Sequence, residues 1–184
     1  AVKLFYFVRD EIKYKIKLTD GRRQDLKQYR RKNFKASYTL EQREAFCIPK
    51  AILLGAMGRA IGIPSRMHFA HILNHKVGKK FAKLQGTERF LWHGYTEFYL
   101  NNSWVKATPV FDKELSQRIG YPLVEFDGKQ DAKLKPKDEK GDLFVEYIKD
   151  LGTFKKVPYF RIALSWVFGY GWGYVRSLFK KTKA

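Results

Sequence analysis

The amino-acid sequence predicts an α+β fold in which one buried helix packs against an antiparallel β-sheet. The helix is indicated by the run from Ala51 to Ile61, where nearly every residue is apolar, as expected for a helix buried on all sides. The sheet is indicated by "RFLWHGYTEFYL", which alternates between two faces, and by the segment "SWVKATPVF" after it. Asn101 and Asn102 separate these segments, which is typical of a β-hairpin turn.

Three further helix signals lie in the first third of the chain. Apolar residues recur at helical spacing in "VKLFYFVRDEIKY", which predicts a helix there. The segment Thr39 to Gln42 fits a capping box that opens a short helix. The buried helix should begin at Cys47, because Pro49 is tolerated only in the first turn of a helix. Gly62 gives its stop signal.

The rest of the chain predicts one more strand, a loop and a partly helical tail. The strand is expected in "SRMHFAHILNH", the loop in the polar stretch 128–142, and the helical parts from Val145 onward. We find no internal repeat or linker, so residues 1–184 are predicted to form a single domain. Because the sequence begins at Ala1 inside an expected helix, we expect it to lack the natural N-terminus of the protein.

The composition is strongly basic, with 37 Lys and Arg against 18 Asp and Glu and a net charge of +19. Such a field attracts phosphate, anionic lipid or acidic proteins. A single cysteine excludes an intramolecular disulfide framework and, with no signal peptide in the sequence, favours the cytoplasm. The uncharged run from Ile162 to Val175 is shorter than the roughly 20 residues that a membrane-spanning helix needs.

Cys47 is the residue on which a catalytic interpretation depends. A cysteine at a helix N-terminus lies beside unpaired backbone amides and the positive end of the helix dipole, which favour the thiolate and lower the pKa. His93 lies in the expected strand beside Gly94, whose missing side chain leaves room for a close partner. An imidazole close to the thiol could hold a thiolate and later protonate a leaving group. From placement alone, an inert buried cysteine is the commoner case.

The other polar candidates are expected to be structural. His68, His71 and His75 resemble a metal-binding spacing, but on a strand the first two point to opposite faces and no ligand set accompanies them. We therefore expect no metal and no cofactor. Glu97 is two strand repeats from His93, too far to orient its ring. We expect Arg66 to pair with an acid of the fold.

Several motifs in a fixed order resemble the transglutaminase-like superfamily of papain-type thiol enzymes. They are "CIPKAILL" and "GIPSR", then "WHGYTEFYL" and "WVKATPVF", and finally "VEFDG". The similarity extends over nearly the whole chain, and it is greatest to a group of small bacterial and archaeal transglutaminase-domain proteins.

The resemblance implies a papain-like fold and a thiol mechanism. Cys47 would be the nucleophile, His93 its acid and base, and the amide of Cys47 part of the oxyanion hole. The implied reaction is acyl transfer through a thioester, with a peptide or amide as substrate. Water as acceptor would make the protein an amidase or peptidase, and an amine acceptor would make it a transglutaminase.

The sequence departs from the superfamily at the third member of the triad. The aspartate of the family's Asp-Pro-Thr motif falls on Thr108 in "KATPVF". A threonine can orient an imidazole through its hydroxyl, but it supplies no charge. Asp112, four residues further on, could substitute for the missing carboxylate from a loop. The residues before Cys47, "QREAF", also lack the glycines that relatives commonly carry there.

Two classes of function therefore stay open. One is the cysteine-dependent amide hydrolase or acyltransferase, for which the net charge would favour acidic substrates. The other is an inactive or weakly active papain-like scaffold that binds nucleic acid, an anionic membrane or acidic proteins through basic surfaces. The segment Lys13–Lys35, with ten Lys and Arg against two Asp, and the basic aromatic tail support this alternative. Such binding would have to weaken steeply with added salt.

Overall fold

The computed structural model describes residues 1–16, 30–76 and 88–169, together with the backbone of two short strands at 18–19 and 23–24. Helices and an antiparallel sheet together confirm the α+β class. In chain order the elements are α1 (Val2–Glu11), β1 (Lys13–Tyr14), β2 (Leu18–Thr19), β3 (Arg23–Gln24), a 3-10 helix (Arg31–Phe34), α2 (Ala36–Gln42), β4 (Glu44–Ala45), α3 (Cys47–Ala60), β5 (Ser65–Asn74), β6 (Arg89–Leu100), β7 (Ser103–Ala107), α4 (Lys113–Ile119), β8 (Val145–Phe154) and α5 (Tyr159–Gly169).

The main sheet has four strands in the order β7-β6-β5-β8, and all neighbouring strands are antiparallel. The predicted hairpin between β6 and β7 is confirmed. Asn101 and Asn102 both have positive φ, at 47° and 63°, as a two-residue turn between right-twisted strands requires. Elsewhere β1 pairs with β4 in parallel, and β2 pairs with β3 in antiparallel orientation.

Helix α3 begins at Cys47, as predicted. Phe46 before it has extended backbone, and Pro49 lies in the first turn, where its missing N–H breaks no helical hydrogen bond. The helix ends at Ala60, and Gly62 then takes a left-handed φ of 81°, the conformation that favours glycine after a helix. Its apolar side chains are buried as expected, since Ile48, Leu53 and Leu54 are at most 2% exposed.

One face of β6 carries the packing of α3 on the sheet. The hydroxyl of Thr96 donates to the carbonyl of Ala51 at 2.7 Å, and a side chain on Gly58 would overlap the ring of Phe98. Gly94, on the same face, lies beside Ile48 at the start of the helix. Gly94, Thr96 and Phe98, which the alternation in "RFLWHGYTEFYL" places on one face, all contact α3.

The predicted capping box is wrong. Helix α2 begins at Ala36, after the extended Lys35, so Thr39 lies inside the helix and not at its start. The Thr39 hydroxyl donates back to the carbonyl of Lys35 at 3.3 Å, which is a common bond for a threonine within a helix. The predicted N-cap, Thr39, therefore lies four residues after the observed one, Lys35.

The prediction of a partly helical tail is half right. Tyr159–Gly169 forms helix α5, but Val145–Phe154 is strand β8. Strand β8 is bonded only to β5, at the edge of the sheet, and Glu146, Lys149 and Asp150 are exposed. An edge strand with so many polar residues lacks the apolar alternation that identifies buried strands. The last residues of the basic tail, 170–184, lie outside the described part of the chain.

A charged network joins three strands on the sheet face opposite α3. His68 Nδ1 lies 2.6 Å from a Glu97 oxygen, and His68 Nε2 lies 2.7 Å from Asp150. Glu97 also accepts a hydrogen bond from Arg66, so Arg66 and Glu97 are structural partners, as expected. Burial acts to lower the pKa of His68, but the bonds to Glu97 and Asp150 outweigh it and raise the pKa.

This network predicts a pH-dependent contribution of His68 to stability. A neutral imidazole has one N–H, so only the protonated ring donates to both carboxylates. The folded pKa of His68 is raised, so the contribution is complete below the unfolded pKa of about 6.5 and is lost as pH rises through the folded value. His68→Asn should lower the free energy of unfolding by about 1.5–3 kcal/mol near pH 5.5 and by clearly less at pH 9. Urea unfolding of both proteins measures this, and an equal difference at both pH values would contradict it.

Candidate active site

Backbone amides surround the sulfur of Cys47, but burial controls its ionisation. Burial raises the pKa of Cys47 to about 11, while hydrogen bonds from the amides of Gly94, Ile48 and Cys47 itself act in the opposite direction. Cys47 is only partly buried by surface area, yet its thiol lies among apolar groups of both hydrophobic clusters of the protein. The expected lowering of the pKa is therefore wrong, because desolvation outweighs the helix start.

Gly94 allows the close approach that brings Cys47 to strand β6. A Cβ atom at Gly94 would lie 3.2 Å from Ile48 Cγ1 and 3.1 Å from Phe69 Cε1, distances that leave no comfortable space for a side chain. The absence of that side chain lets the Gly94 amide reach the sulfur. Since Gly94 directly follows His93, this contact holds the thiol beside the histidine's position in the strand.

His93 is buried and neutral. His93 is only 3% exposed, and this burial lowers the pKa of its imidazole to about 3. The Nε2 atom has no hydrogen-bond partner among the described residues. At neutral pH the structure therefore holds a thiol and a neutral imidazole, and not the thiolate–imidazolium ion pair that the sequence suggested.

Thr108, at the position of the family's aspartate, is fully buried. Its Oγ1 atom also has no hydrogen-bond partner of ordinary geometry among the described residues. The buried polar atoms of the site without a partner of ordinary geometry among the described residues are therefore His93 Nε2, Thr108 Oγ1 and Trp92 Nε1. Such atoms are rare in folded proteins and are found at functional sites.

Tyr147 of strand β8 connects these positions, and no local sequence signal identifies it. Its ring lies edge-on to that of His93, with centroids 6.0 Å apart, and its hydroxyl accepts a hydrogen bond from the Leu134 amide at 3.3 Å. Burial raises the pKa of Tyr147, Cys47 acts in the same direction, and the side chain of Thr108 acts against it. The tyrosine is therefore near all three candidate residues. Its strand was not predicted, so its position could not be.

Asp112 does not lie against His93. Its carboxylate caps helix α4 by accepting from the Leu115 amide at 3.2 Å, and it also accepts from the Tyr14 amide at 2.9 Å. Lys13 lies 3.9 Å away. All these partners are structural and none is His93, so the contacts of Asp112 give no support to its replacing the triad aspartate.

A cavity of about 760 Å³ opens beside Cys47 and His93. Both residues line it, which brings the two main sequence candidates to one site. Ile48, Ile72 and Trp92 form part of its apolar wall. Volumes of 300–1,000 Å³ are typical of pockets that bind small molecules, so the thiol and the imidazole have space for a substrate.

Lys50 is a buried cation one turn after Cys47, and sequence reasoning passed over it. Its Nζ donates to the carbonyls of Arg9 at 2.9 Å and Ile12 at 2.5 Å, at the C-terminal end of α1. Burial lowers its pKa to about 7, while Asp112 acts in the opposite direction. Lys50 therefore ties α1 to the start of the helix that carries the thiol. A lysine in the first turn of an apolar helix is a signal that could have identified it.

Neither a metal-binding cluster nor a membrane-spanning helix occurs among the described residues. Within residues 1–16, 30–76 and 88–169, no three His, Cys, Asp or Glu side chains form a group that could hold a metal ion. In the same part of the chain, no helix is both long and apolar enough to cross a membrane.

Comparison with protein families identifies the class to which the site belongs. The family model of the transglutaminase-like superfamily matches residues 1–109, which include Cys47, His93 and Thr108 and end before Asp112. This is more than half of the 184 residues, and the chain belongs to the transglutaminase-like superfamily. Neither a comparison with curated proteins nor one with solved structures finds a match.

Proposed function

We propose that the protein catalyses cysteine-dependent acyl transfer on an amide substrate through a thioester, with Cys47 as nucleophile and His93 as acid and base. The observation that carries the proposal is that Cys47 and His93 line one cavity. The backbone amide of Gly94, which directly follows His93, also acts on the Cys47 thiol. The proposal includes a papain-like arrangement of the α3 start and the histidine strand.

The reaction begins from the neutral pair. Cys47 Sγ attacks the substrate carbonyl carbon, and His93 accepts the thiol proton as the S–C bond forms. The amide of Cys47 stabilises the oxyanion. The imidazolium then protonates the leaving amine as the C–N bond breaks, which leaves a thioester. Water or an amine attacks the thioester in the second half, His93 takes its proton, and the thiol is regenerated.

The neutral resting state has a chemical consequence. Both charged forms are disfavoured by burial, since the pKa of Cys47 is raised to about 11 and that of His93 is lowered to about 3. The proton therefore leaves sulfur only when an acyl group is in place and charge can develop on its oxygen. Such a thiol is poorly reactive toward reagents in solution while it remains able to attack a bound substrate.

Covalent trapping tests the proposal. Incubation with p-nitrophenyl acetate, followed by mass spectrometry of the intact protein and of its peptides, should show one acetyl group on Cys47. Cys47→Ala should abolish the adduct, and His93→Ala should slow its formation by about 10²–10⁴-fold. His75→Ala is the matched control, because His75 contacts Glu146 near the surface. Acetylation elsewhere, or equal rates in His93→Ala and His75→Ala, would refute the mechanism.

The alternative, a basic module that binds acidic partners, has weaker support from the described residues. Lys15 pairs with Glu44 at 2.7 Å and Lys13 with Glu114 at 3.2 Å, so these cations of the basic segment have acidic neighbours in the protein. Most of that segment, and the end of the tail, lie outside the described residues. The enzyme proposal is preferred because it accounts for the cavity at Cys47.

A further inference from the structure

The cavity beside Cys47 has walls of two chemical kinds. One end carries charged side chains, where Lys76 Nζ lies 2.6 Å from Asp142 and 3.1 Å from Asp138. The larger part is lined by aliphatic and aromatic side chains. Six of these are Ile48, Ile72, Trp92, Val110, Leu115 and Val145.

The apolar part is a poor site for a peptide backbone. The described lining residues with polar side chains are Cys47, His93, Tyr14, Asn74, Lys76 and the charged residues between 138 and 142, and the apolar part adds only the indole N–H groups of Trp92 and Trp166. A peptide within the apolar part would bury amide groups against hydrocarbon, which is unfavourable without hydrogen-bond partners. At about 760 Å³, the cavity is also larger than any single amino-acid side chain requires. A linear hydrocarbon chain buries no unpaired amide groups, and it is long enough to occupy a cavity of this volume.

We propose that the acyl group transferred by Cys47 is a medium- or long-chain fatty acyl group, supplied as an ester, thioester or amide. The inference rests on the proposed function for its chemistry. The carbonyl carbon lies at the Cys47 sulfur, and the hydrocarbon chain extends along the apolar wall. Attack forms the S-acyl bond, breaks the bond to the leaving group, and returns the thiol proton to that group through His93.

A series of p-nitrophenyl esters tests the inference on catalysis. From acetate to octanoate, the part of kcat/KM that depends on Cys47 should rise by about two- to fourfold for each methylene. Leu115 lines the cavity, so Leu115→Trp should lower kcat/KM for octanoate by roughly tenfold more than it lowers kcat/KM for acetate. Gln117, exposed on the same helix, provides the matched control Gln117→Trp. Values that do not rise with chain length, or a Leu115→Trp effect equal for both esters, would overturn the inference.

Binding of sodium laurate to the Cys47→Ala protein tests the same site without catalysis. Isothermal titration below the micelle concentration should show one laurate per chain, weakened at least tenfold by Leu115→Trp and unchanged by Gln117→Trp. Binding at many sites, or binding that Leu115→Trp leaves unchanged, would overturn the inference, because surface cations would then explain it. Laurate binding that depends on Leu115 without any thioester on Cys47 would support the acyl-chain site and refute the proposed function. Thioester formation with no chain-length preference and no laurate binding would support the proposed function and overturn the inference of an acyl-chain site.

Discussion

Thr108→Asp is expected to raise the rate of Cys47-dependent acyl transfer near pH 7 by about 10²–10⁴-fold. The upper bound is the effect that a triad carboxylate has in serine enzymes, where replacing it by its amide lowers the rate by about 10⁴. In this protein the position holds an uncharged hydroxyl that interacts with Tyr147, and His93 Nε2 is buried without a partner among the described residues. A carboxylate at position 108 would accept from that nitrogen and stabilise the imidazolium.

The same substitution should also move the pH profile. Burial lowers the pKa of His93 to about 3, and an adjacent carboxylate acts in the opposite direction. A higher imidazole pKa favours proton transfer from sulfur, so iodoacetamide should alkylate Cys47 faster near pH 6 in Thr108→Asp than in the natural protein. The alkylation rate between pH 5 and 10 measures this shift. If the two profiles coincide, Thr108 does not occupy the position of a triad residue.

Two further variants separate charge from orientation. Thr108→Asn supplies an acceptor without charge and should give less than the full gain. Thr108→Val removes a buried hydroxyl whose indicated partner is Tyr147, so it should change the free energy of unfolding by no more than about 1 kcal/mol in either direction. A large loss of activity in Thr108→Val would show that the hydroxyl already orients His93 in the enzyme–substrate complex.

The positions of Cys47 at a helix start and of Gly94 beside that helix could be predicted from the sequence because their signals are local. Pro49 places Cys47 at the start of a helix, and Gly94 marks a point where β6 lies close to the first turn of that helix. Each signal needs only a few neighbouring residues. The α3 helix and the inward face of β6 were predictable for the same reason, since apolar periodicity is a property of the local chain.

Ionisation states could not be predicted in this way, because they depend on residues distant in sequence. The helix start favours a thiolate at Cys47, and from the sequence this is the only visible effect. The structure adds apolar packing around the sulfur from both hydrophobic clusters, and desolvation reverses the direction of the shift. Tyr147 and Asp112 show the same limit. Tyr147 is brought to the site by β8, an edge strand without apolar alternation, and Asp112 instead caps α4.

Lys50→Met is expected to lower the free energy of unfolding by about 2–5 kcal/mol at pH 7. Methionine fills most of the space of the lysine chain, but it leaves the carbonyls of Arg9 and Ile12 without their donor. Each buried carbonyl left unpaired costs about 1–3 kcal/mol, which removal of a desolvated ammonium partly offsets. The variant should also loosen the link between α1 and the start of α3.

The pH dependence of this effect distinguishes it from a simple packing defect. Burial lowers the folded pKa of Lys50 to about 7, from 10.5. Between these values the unfolded chain binds a proton that the folded chain does not, so Lys50 makes stability rise with pH by up to about 1.4 kcal/mol per unit. Methionine cannot contribute this increment. The stability difference between the natural protein and Lys50→Met should therefore widen by about 2–3 kcal/mol from pH 7 to pH 9.

Urea unfolding at pH 7, 8 and 9 measures the difference, with Lys3→Met as the matched control. Lys3 is exposed on α1, so its replacement should change stability by less than about 0.5 kcal/mol at every pH. A constant difference between the natural protein and Lys50→Met would mean that Lys50 keeps its proton in the folded state. A difference that widens as expected would show that Lys50 is neutral above pH 7. A neutral amine still has two N–H groups for the two carbonyls, so α1 remains tied to the helix that presents the Cys47 thiol.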